Sequence, residues 1–307
     1  MKGENMKDNS KKKAKGLSLN VRNNLIGYSF ILPNFIGFFI FIFVPVMFSL
    51  FLSFSHWDGF NPMEFAGLDN FKDIFSDKVF TSSIWKTIYF SVFTVLFSMI
   101  ASLALAVLLN QKMKLRGFFR CALFFPYVAS TVAVSVVFNA LFQKDYGPIN
   151  EFLRFIGIAN PPGWTASTDW VIPALIIVNV WRNMGYFMII YLAALQGIDE
   201  SLYEAAKMDG ASGWRLFAKI TWPLLTPSTF FVVMMLTINS FKVFDLVYLM
   251  TGGGPGTAST MISQYIYNQA FVSWNYGRSS AAAMILFLIV GALTVIQFRA
   301  EKKFVNY

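Results

Sequence analysis

Six apolar stretches, each long enough to cross a bilayer, constrain this chain more than any other feature of it. A hydrocarbon core about 30 Å thick takes roughly twenty helical residues, and it holds no water to satisfy an open backbone. Residues 25–54, 87–109, 121–143, 220–241 and 279–298 read as charge-free spans of this kind, and residues 171–198 as one interrupted by Arg182. Composition agrees: only 13% of the 307 residues are charged, against about 25% in a soluble domain. Residues 246–277 also lack charge, but they carry Gly252-Gly253-Gly254-Pro255-Gly256 followed by Gln264, Asn268, Gln269 and Asn275. Five such helix breakers would strand backbone groups in hydrocarbon. The segment is therefore expected to be an external loop with one short interfacial helix, and the fold all-α and integral to the membrane, with six transmembrane helices.

Charge sets the direction. Lys2, Lys7, Lys11, Lys12, Lys13, Lys15 and Arg22 precede the first span, Lys112, Lys114, Arg116 and Arg120 follow the second, Lys207, Arg215 and Lys219 follow the fourth, and Arg299, Lys302 and Lys303 follow the last. With about seventeen basic residues on that side and seven on the other, both termini are expected in the cytoplasm of a multi-pass bacterial cell-membrane protein. The net charge of +9 thus belongs to topology and membrane lipid, not to a nucleic-acid partner. Residues 1–22 read as a disordered basic cytoplasmic tail, and residues 23–307 as the transmembrane domain. The first span has no small-residue cleavage site and reads as an uncleaved anchor. A lone Cys121 and a lone His56 offer neither an intrachain disulfide nor a metal site.

Between the fourth and fifth spans, residues 199–222 form a polar loop that the membrane itself does not require. Ser201-x-x-Glu204 reads as a capping box with Ser201 as N-cap. Gly210 suits the left-handed position after a helix, Ser212 can cap a second short helix, and Pro223 and Pro227 fall where a kink or first turn tolerates them. The order Glu204-Ala205-Ala206, three residues, Gly210, then Phe217, Ile220 and Pro223 resembles the EAA loop of permease subunits of binding-protein-dependent ATP-binding-cassette importers of type I. Gly67-Leu68-Asp69-Asn70-Phe71, Phe125-Pro126-Tyr127, Asp145-Tyr146-Gly147-Pro148-Ile149-Asn150 and Tyr191-Leu192-Ala193-Ala194-Leu195-Gln196 are similar to segments of carbohydrate permeases of the maltose and glycerol-phosphate type. Thr251-Gly252-Gly253-Gly254-Pro255 resembles the maltose-F-like member of the permease pair. Asp199 departs from the family, which usually has proline there, yet Asp can serve as a helix cap.

The resemblance implies a heterodimer with a second permease subunit, two ATPase subunits and an extracytoplasmic solute-binding protein. It also implies that Glu204, Ala205, Ala206, Asp209, Gly210, Ala211, Phe217 and Pro223 couple the chain to an ATPase. No Gly-x-x-x-x-Gly-Lys-Ser/Thr stretch occurs, so ATP and Mg are expected on the ATPase subunits and no cofactor on this chain, which is a transport subunit and not an enzyme.

A pathway needs polar groups at membrane depth. Arg182 is the one charge deep in a span, and it shares a helical face with Asn179, Asn183 and Tyr186. The fifth span adds Thr237, Asn239, Ser240 and Lys242. Arg182, Asn183, Tyr186, Asn239 and Ser240 are the candidate substrate path, against the alternative that they bond helix to helix. By resemblance, Tyr186 stands where the maltose-type relative has a sugar-contacting Tyr, and Asn183 and Ser240 stand at matching places with changed side chains. The expected substrate is a sugar or oligosaccharide. Three alternatives stay open: a glycerol-phosphate-like or other polar solute, with Arg182 as counter-charge to a phosphate; a secondary transporter, although no Asp or Glu lies in the expected spans; and a membrane enzyme, poorly served by one His and one Cys.

The topology is checked by thiol labelling in a Cys121→Ser background. A cysteine placed at Asn5 or Tyr307 is expected to resist an impermeant external reagent, and one placed at Asp58 to react with it. External labelling at Asn5 or Tyr307 would reverse the orientation.

Overall fold

The computed structural model describes residues 19–304 apart from Lys112. The tail expected over residues 1–22 lies outside the described residues as far as residue 18, as do Asn5 and Tyr307, and the chain is helical from Leu19. Residues 1–48 and 49–307 form two compact units. The first contains the helix Leu19–Phe38 and the π-helical turn Phe39–Phe43, whose large apolar side chains are exposed. Such a surface suits lipid, not water.

Among the described residues, four helices are long and apolar enough to cross a membrane: Asn23–Ser53, Lys78–Asn110, Val171–Gln196 and Tyr276–Lys302. Two bent pairs complete six spans if each pair is counted as one: Arg116–Val128 with Thr131–Leu141, and Trp214–Leu224 with Thr226–Phe241. The third span is thus not the continuous helix expected over residues 121–143. Its halves meet at 96°, because Ala129 and Ser130 leave helical geometry for extended backbone. The corner carries only two small uncharged polar residues, Ser130 and Thr131, inside a long apolar run, so hydropathy does not register it. The fifth span bends by 66° at Leu225, between Pro223 near the end of Trp214–Leu224 and Pro227 in the first turn of Thr226–Phe241, where the missing N–H costs nothing.

The second span forms the most extensive helix pairing, with the fourth. Ser83, Thr87, Ser91, Thr94, Ser98 and Ser102 are all at most 2% exposed, and their three- and four-residue spacing sets them along one face. Small side chains let helix backbones approach in lipid, where no hydrophobic force pulls helices together. Ser83, Thr87 and Ser102 bond carbonyls of their own helix. Thr87 Oγ1 also accepts from the Ile262 amide at 3.0 Å, holding the start of a short helix, Ile262–Tyr267. The fourth span closes on the third at Gly185, where a Cβ would run into the Leu123 carbonyl oxygen.

The two ends of the bundle differ. At the end carrying residues 197–225, Leu195, Leu192 and Tyr191 pack with Leu225 and Leu109. At the other, the cap end, Ala174, Leu175 and Val178 pack with Phe142, Trp164, Leu246 and Val247. Residues 246–277 hold more structure than the one short helix expected of them. They form two short helices, Asp245–Thr251 and Ile262–Tyr267, and a π-helical turn, Asn268–Val272, with Leu246, Val247, Met261 and Ile262 buried in the core. An antiparallel pair of two-residue strands, Ser55–His56 and Glu64–Phe65, is the one β element among the described residues. Buried Asn70 ties this cap to the first span through the Ser53 and Ser55 carbonyls, and Arg278 pairs with Asp73 at 2.5 Å.

Gly185→Val must push the third and fourth spans apart, at a cost of about 1–3 kcal/mol or more for overpacking. The purified complex is expected to melt several degrees lower. Gly291→Ala, where a Cβ meets nothing within 4 Å, is expected to leave the melting temperature unchanged.

Candidate functional site

A cavity of about 400 Å³ opens beside the middle of the fourth span. Arg182 and Asn183 reach it from that span, Asn239 and Ser240 from the last turn of Thr226–Phe241, and Lys242 and Asp245 from the chain that follows. Thr94 of the second-span seam and Tyr127 of the broken third span also line it. Four of the five residues singled out as a substrate path therefore share one cavity. Tyr186 is not on the wall. It lies behind Tyr127, ring on ring, with centroids 4.4 Å apart and planes 13° from parallel. One face of Tyr186 is thus covered, and Tyr127 and Phe244 are the aromatic residues that line the cavity. The close approach at Gly185 brings these two rings together. Thr237 is also elsewhere: it accepts from Gln297 Nε2 of the sixth span at 3.0 Å, which is a packing role.

Several polar atoms of the cavity are spoken for. Asn183 Nδ2 donates to the Asn179 carbonyl and Oδ1, at 2.8 and 3.0 Å, and Ser240 Oγ donates to the Thr237 carbonyl at 3.0 Å. What Asn183 and Ser240 still offer is acceptor capacity, from the amide oxygen and the hydroxyl lone pairs. The site can therefore receive hydroxyl donors against an aromatic ring, the usual requirement of a polyhydroxylated ligand. Among the described residues, no group of three His, Cys, Asp or Glu could hold a metal ion. Cys121 is exposed on the third span.

The polar loop is built differently from the capping box expected of it. Its first helix is Glu200–Met208, and the N-cap is Asp199, whose carboxylate accepts from the Ser201 amide at 2.9 Å. Ser201 is already inside the helix, and Glu204 stands in the second turn. Asp199 takes the cap because its backbone is extended (φ −62°, ψ 128°), leaving the carboxylate level with the free amides. That bond is the main reason its carboxyl is held below the usual carboxylate range. The helix ends in a Schellman arrangement: the Ala211 amide donates to the Ala206 carbonyl and the Gly210 amide to that of Lys207, at 2.9 and 3.0 Å, with Gly210 at φ +79°. Ser212 makes no capping bond. Gly213, at φ +48°, stands at the N-cap of Trp214–Leu216 instead.

From Trp214 the chain winds through a π-helical turn, Phe217–Thr221, into the fifth span. Tyr203 and Thr221 share a hydrogen bond at 2.9 Å, which staples the two arms of the loop. Sequence reasoning passed over both residues, although a tyrosine at one helix end and a threonine at the next would be its only trace. Of the coupling candidates, Glu204, Ala205, Asp209 and Gly210 are exposed, and Ala206, Ala211, Phe217 and Pro223 half-buried. No residue of Glu200–Met208 is buried, although Leu202 is 45% and Met208 89% exposed. A helix that is only partly covered by its own chain, through Tyr203 and Ala206, has a free face for another.

Residues 95–304 match the family described as the binding-protein-dependent transport system inner membrane component. The lactose transport system permease protein LacF of Rhizobium radiobacter is 37% identical over 282 residues, spanning 90% of this chain and 94% of that protein. The sn-glycerol-3-phosphate transport system permease protein UgpA of Agrobacterium fabrum is 35% identical over 289 residues, 93% of this chain and 97% of its own. Among solved structures, a bacterial ABC transporter involved in the import of the acidic polysaccharide alginate contains a chain that superimposes with a TM-score of 0.82 at 25% identity, covering 94% of this chain and 98% of that one.

Removing the cap carboxylate leaves the Ser201 amide, in the first turn of Glu200–Met208, without a partner. Asp199→Ala is expected to raise amide hydrogen exchange across residues 200–204 several-fold in the assembled complex, and Asp199→Asn, which keeps an acceptor, to raise it little. Equal exchange in wild type and Asp199→Ala would show that the helix is held by other contacts.

Proposed function

Because this chain belongs to the family of inner-membrane components of binding-protein-dependent transport systems, and is a permease and not an enzyme, we propose that it forms one half of a pathway for a sugar or oligosaccharide. The observation that carries this reading is the cavity beside the fourth span. It combines hydrogen-bond acceptors, an aromatic ring and a guanidinium at membrane depth, and it faces the chemistry of a polyhydroxylated solute. Relatives named for lactose and for trehalose and maltose transport support the substrate class.

The other half of the pathway is a second permease subunit, and the solute arrives on an extracytoplasmic binding protein. Two ATPase subunits bind ATP and Mg, and one of them grips the loop around Glu204 and Gly210. In support, a related permease has been solved in complex with a ligand-bound periplasmic protein. The loop then faces the cytoplasm, with both termini.

Coupling follows from continuity. The fourth span ends at Gln196, and the exposed helix begins at Glu200, so a displacement of that helix is delivered directly to the rod that carries Arg182 and Asn183. The Schellman turn at Gly210 and the Tyr203–Thr221 bond transmit the same displacement to the fifth span, which carries Asn239 and Ser240. Both walls of the cavity thus move with one loop, as mechanical coupling through a contiguous element requires.

Gly210→Val forces a β-branched residue to φ +79°, at a position where an added Cβ meets no atom of this chain within 4 Å. Solute uptake and solute-stimulated ATPase activity are both expected to fall severely while the second permease and the ATPase still co-purify. Wild-type values of both in an intact complex would remove the coupling role from this loop.

A further inference from the structure

The cavity holds more positive charge than its own residues neutralise. Arg182 and Lys242 line it against a single carboxylate, Asp245. Among the described residues the two ion pairs, Lys72–Asp69 and Arg278–Asp73, lie elsewhere, so neither cavity cation has a carboxylate within bonding distance. Two of the three charges have local work. Lys242 follows the last residue of Thr226–Phe241 and faces the negative end of that helix, and Asp245 opens Asp245–Thr251 at its positive end. Arg182 has no such work. It stands in mid-helix, its Nε is buried without an acceptor, and the polar groups one turn before it on Asn179 are already bonded by Asn183.

An uncompensated guanidinium at membrane depth is costly and is kept where function uses it. A neutral sugar can lend it hydroxyl oxygens but no charge. A carboxylate or phosphate offers two acceptor oxygens in the geometry of the guanidinium fork together with the missing charge. The rest of the wall suits the rest of such a molecule: Asn183 and Ser240 keep acceptors for hydroxyl donors, and Tyr127 keeps a ring face. Resting on the pathway reading above, we infer that this cavity selects solutes that carry an oxyanion on an otherwise hydroxylated body, with Arg182 as the residue that distinguishes them from neutral sugars.

The test uses the complete importer, with its second permease and ATPase subunits, purified without nucleotide and without the binding protein, so that selection by the binding protein does not enter. Three probes are titrated: a galacturonate trisaccharide, the neutral galactose trisaccharide, and glycerol 3-phosphate. At least one anionic probe is expected to bind about tenfold or more tightly than the neutral trisaccharide, with an affinity that falls as salt rises, and whichever anion prevails identifies carboxylate or phosphate. Arg182→Gln is expected to abolish the preference and Arg182→Lys to retain part of it, with the complex intact by size exclusion.

Equal binding of neutral and anionic probes by the wild type, no binding of any probe, or a preference that survives Arg182→Gln would overturn the inference. So would loss of assembly in Arg182→Gln with assembly kept in Arg182→Lys, since the charge would then be matched by a neighbouring subunit. Uptake by cells separates this failure from failure of the pathway itself. If Asn239→Leu blocks uptake of the neutral trisaccharide and Arg182→Gln does not, the pathway stands and its charge selection falls. If neither variant changes any uptake, both fall.

Discussion

The close contact of the second and fourth spans carries the rest of this structure. In lipid, two helices gain little from burying leucine against leucine, since the solvent is as apolar as the side chains. What brings helices together is fit, and the six small hydroxyl residues from Ser83 to Ser102 keep one buried face of the second span low, where its neighbours can approach closely. The fourth span packs on the second along much of its length, with Phe90, Ala174, Leu175 and Val178 at one end and Ala106, Leu109, Tyr191 and Leu195 at the other. Once this pair is set, the remaining spans have a template. Thr87 receives the short helix Ile262–Tyr267, and Thr94 contributes to the wall of the cavity.

The fourth span is also where packing becomes function. Along one helix of 26 residues it offers a cap-end core, a polar face at mid-length, a glycine that admits the third span, and a direct lead into the exposed loop. Gly185 and Tyr186 show how closely these are linked. The absent side chain of the first lets the third span approach, and the approach sets Tyr127 on the ring of the second. The placing of Tyr127 on the cavity wall is thus tied to a backbone contact next to it. A polar site in a bilayer needs such support, because water is not there to correct a misplaced donor.

Both breaks in the spans lie next to working parts. The corner at Ala129 and Ser130 turns the chain just after Tyr127, and the bend at Leu225 separates the arm that joins the loop from the helix that ends in Asn239 and Ser240. A straight fifth span would carry loop and cavity on one rigid cylinder. The bend makes them two, packed around a fully buried Leu225. The loop arms are in turn joined by local bonds, from Asp199 to the Ser201 amide and from Tyr203 to Thr221.

The amino-acid sequence by itself determined the membrane class, the number and approximate bounds of the spans, the left-handed turn at Gly210, the prolines at the fifth-span bend and the family of the loop. These follow from local quantities: apolar length, charge, and backbone angles that only certain residues tolerate. The Glu204 loop was legible as a motif, and Asp199 and Ser201 both read as caps; the backbone path chooses Asp199 and leaves Ser201 inside the helix. Arg182, Asn183, Asn239 and Ser240 could be named as polar groups in apolar helices, but their meeting in one cavity depends on how two distant helices are aligned. Tyr186 behind Tyr127, the corner of the third span and the burial of residues 246–277 left no local trace. They were decided by tertiary structure, because each depends on backbones brought close by residues far apart in the chain, and in lipid that closeness comes from shape and not from hydropathy.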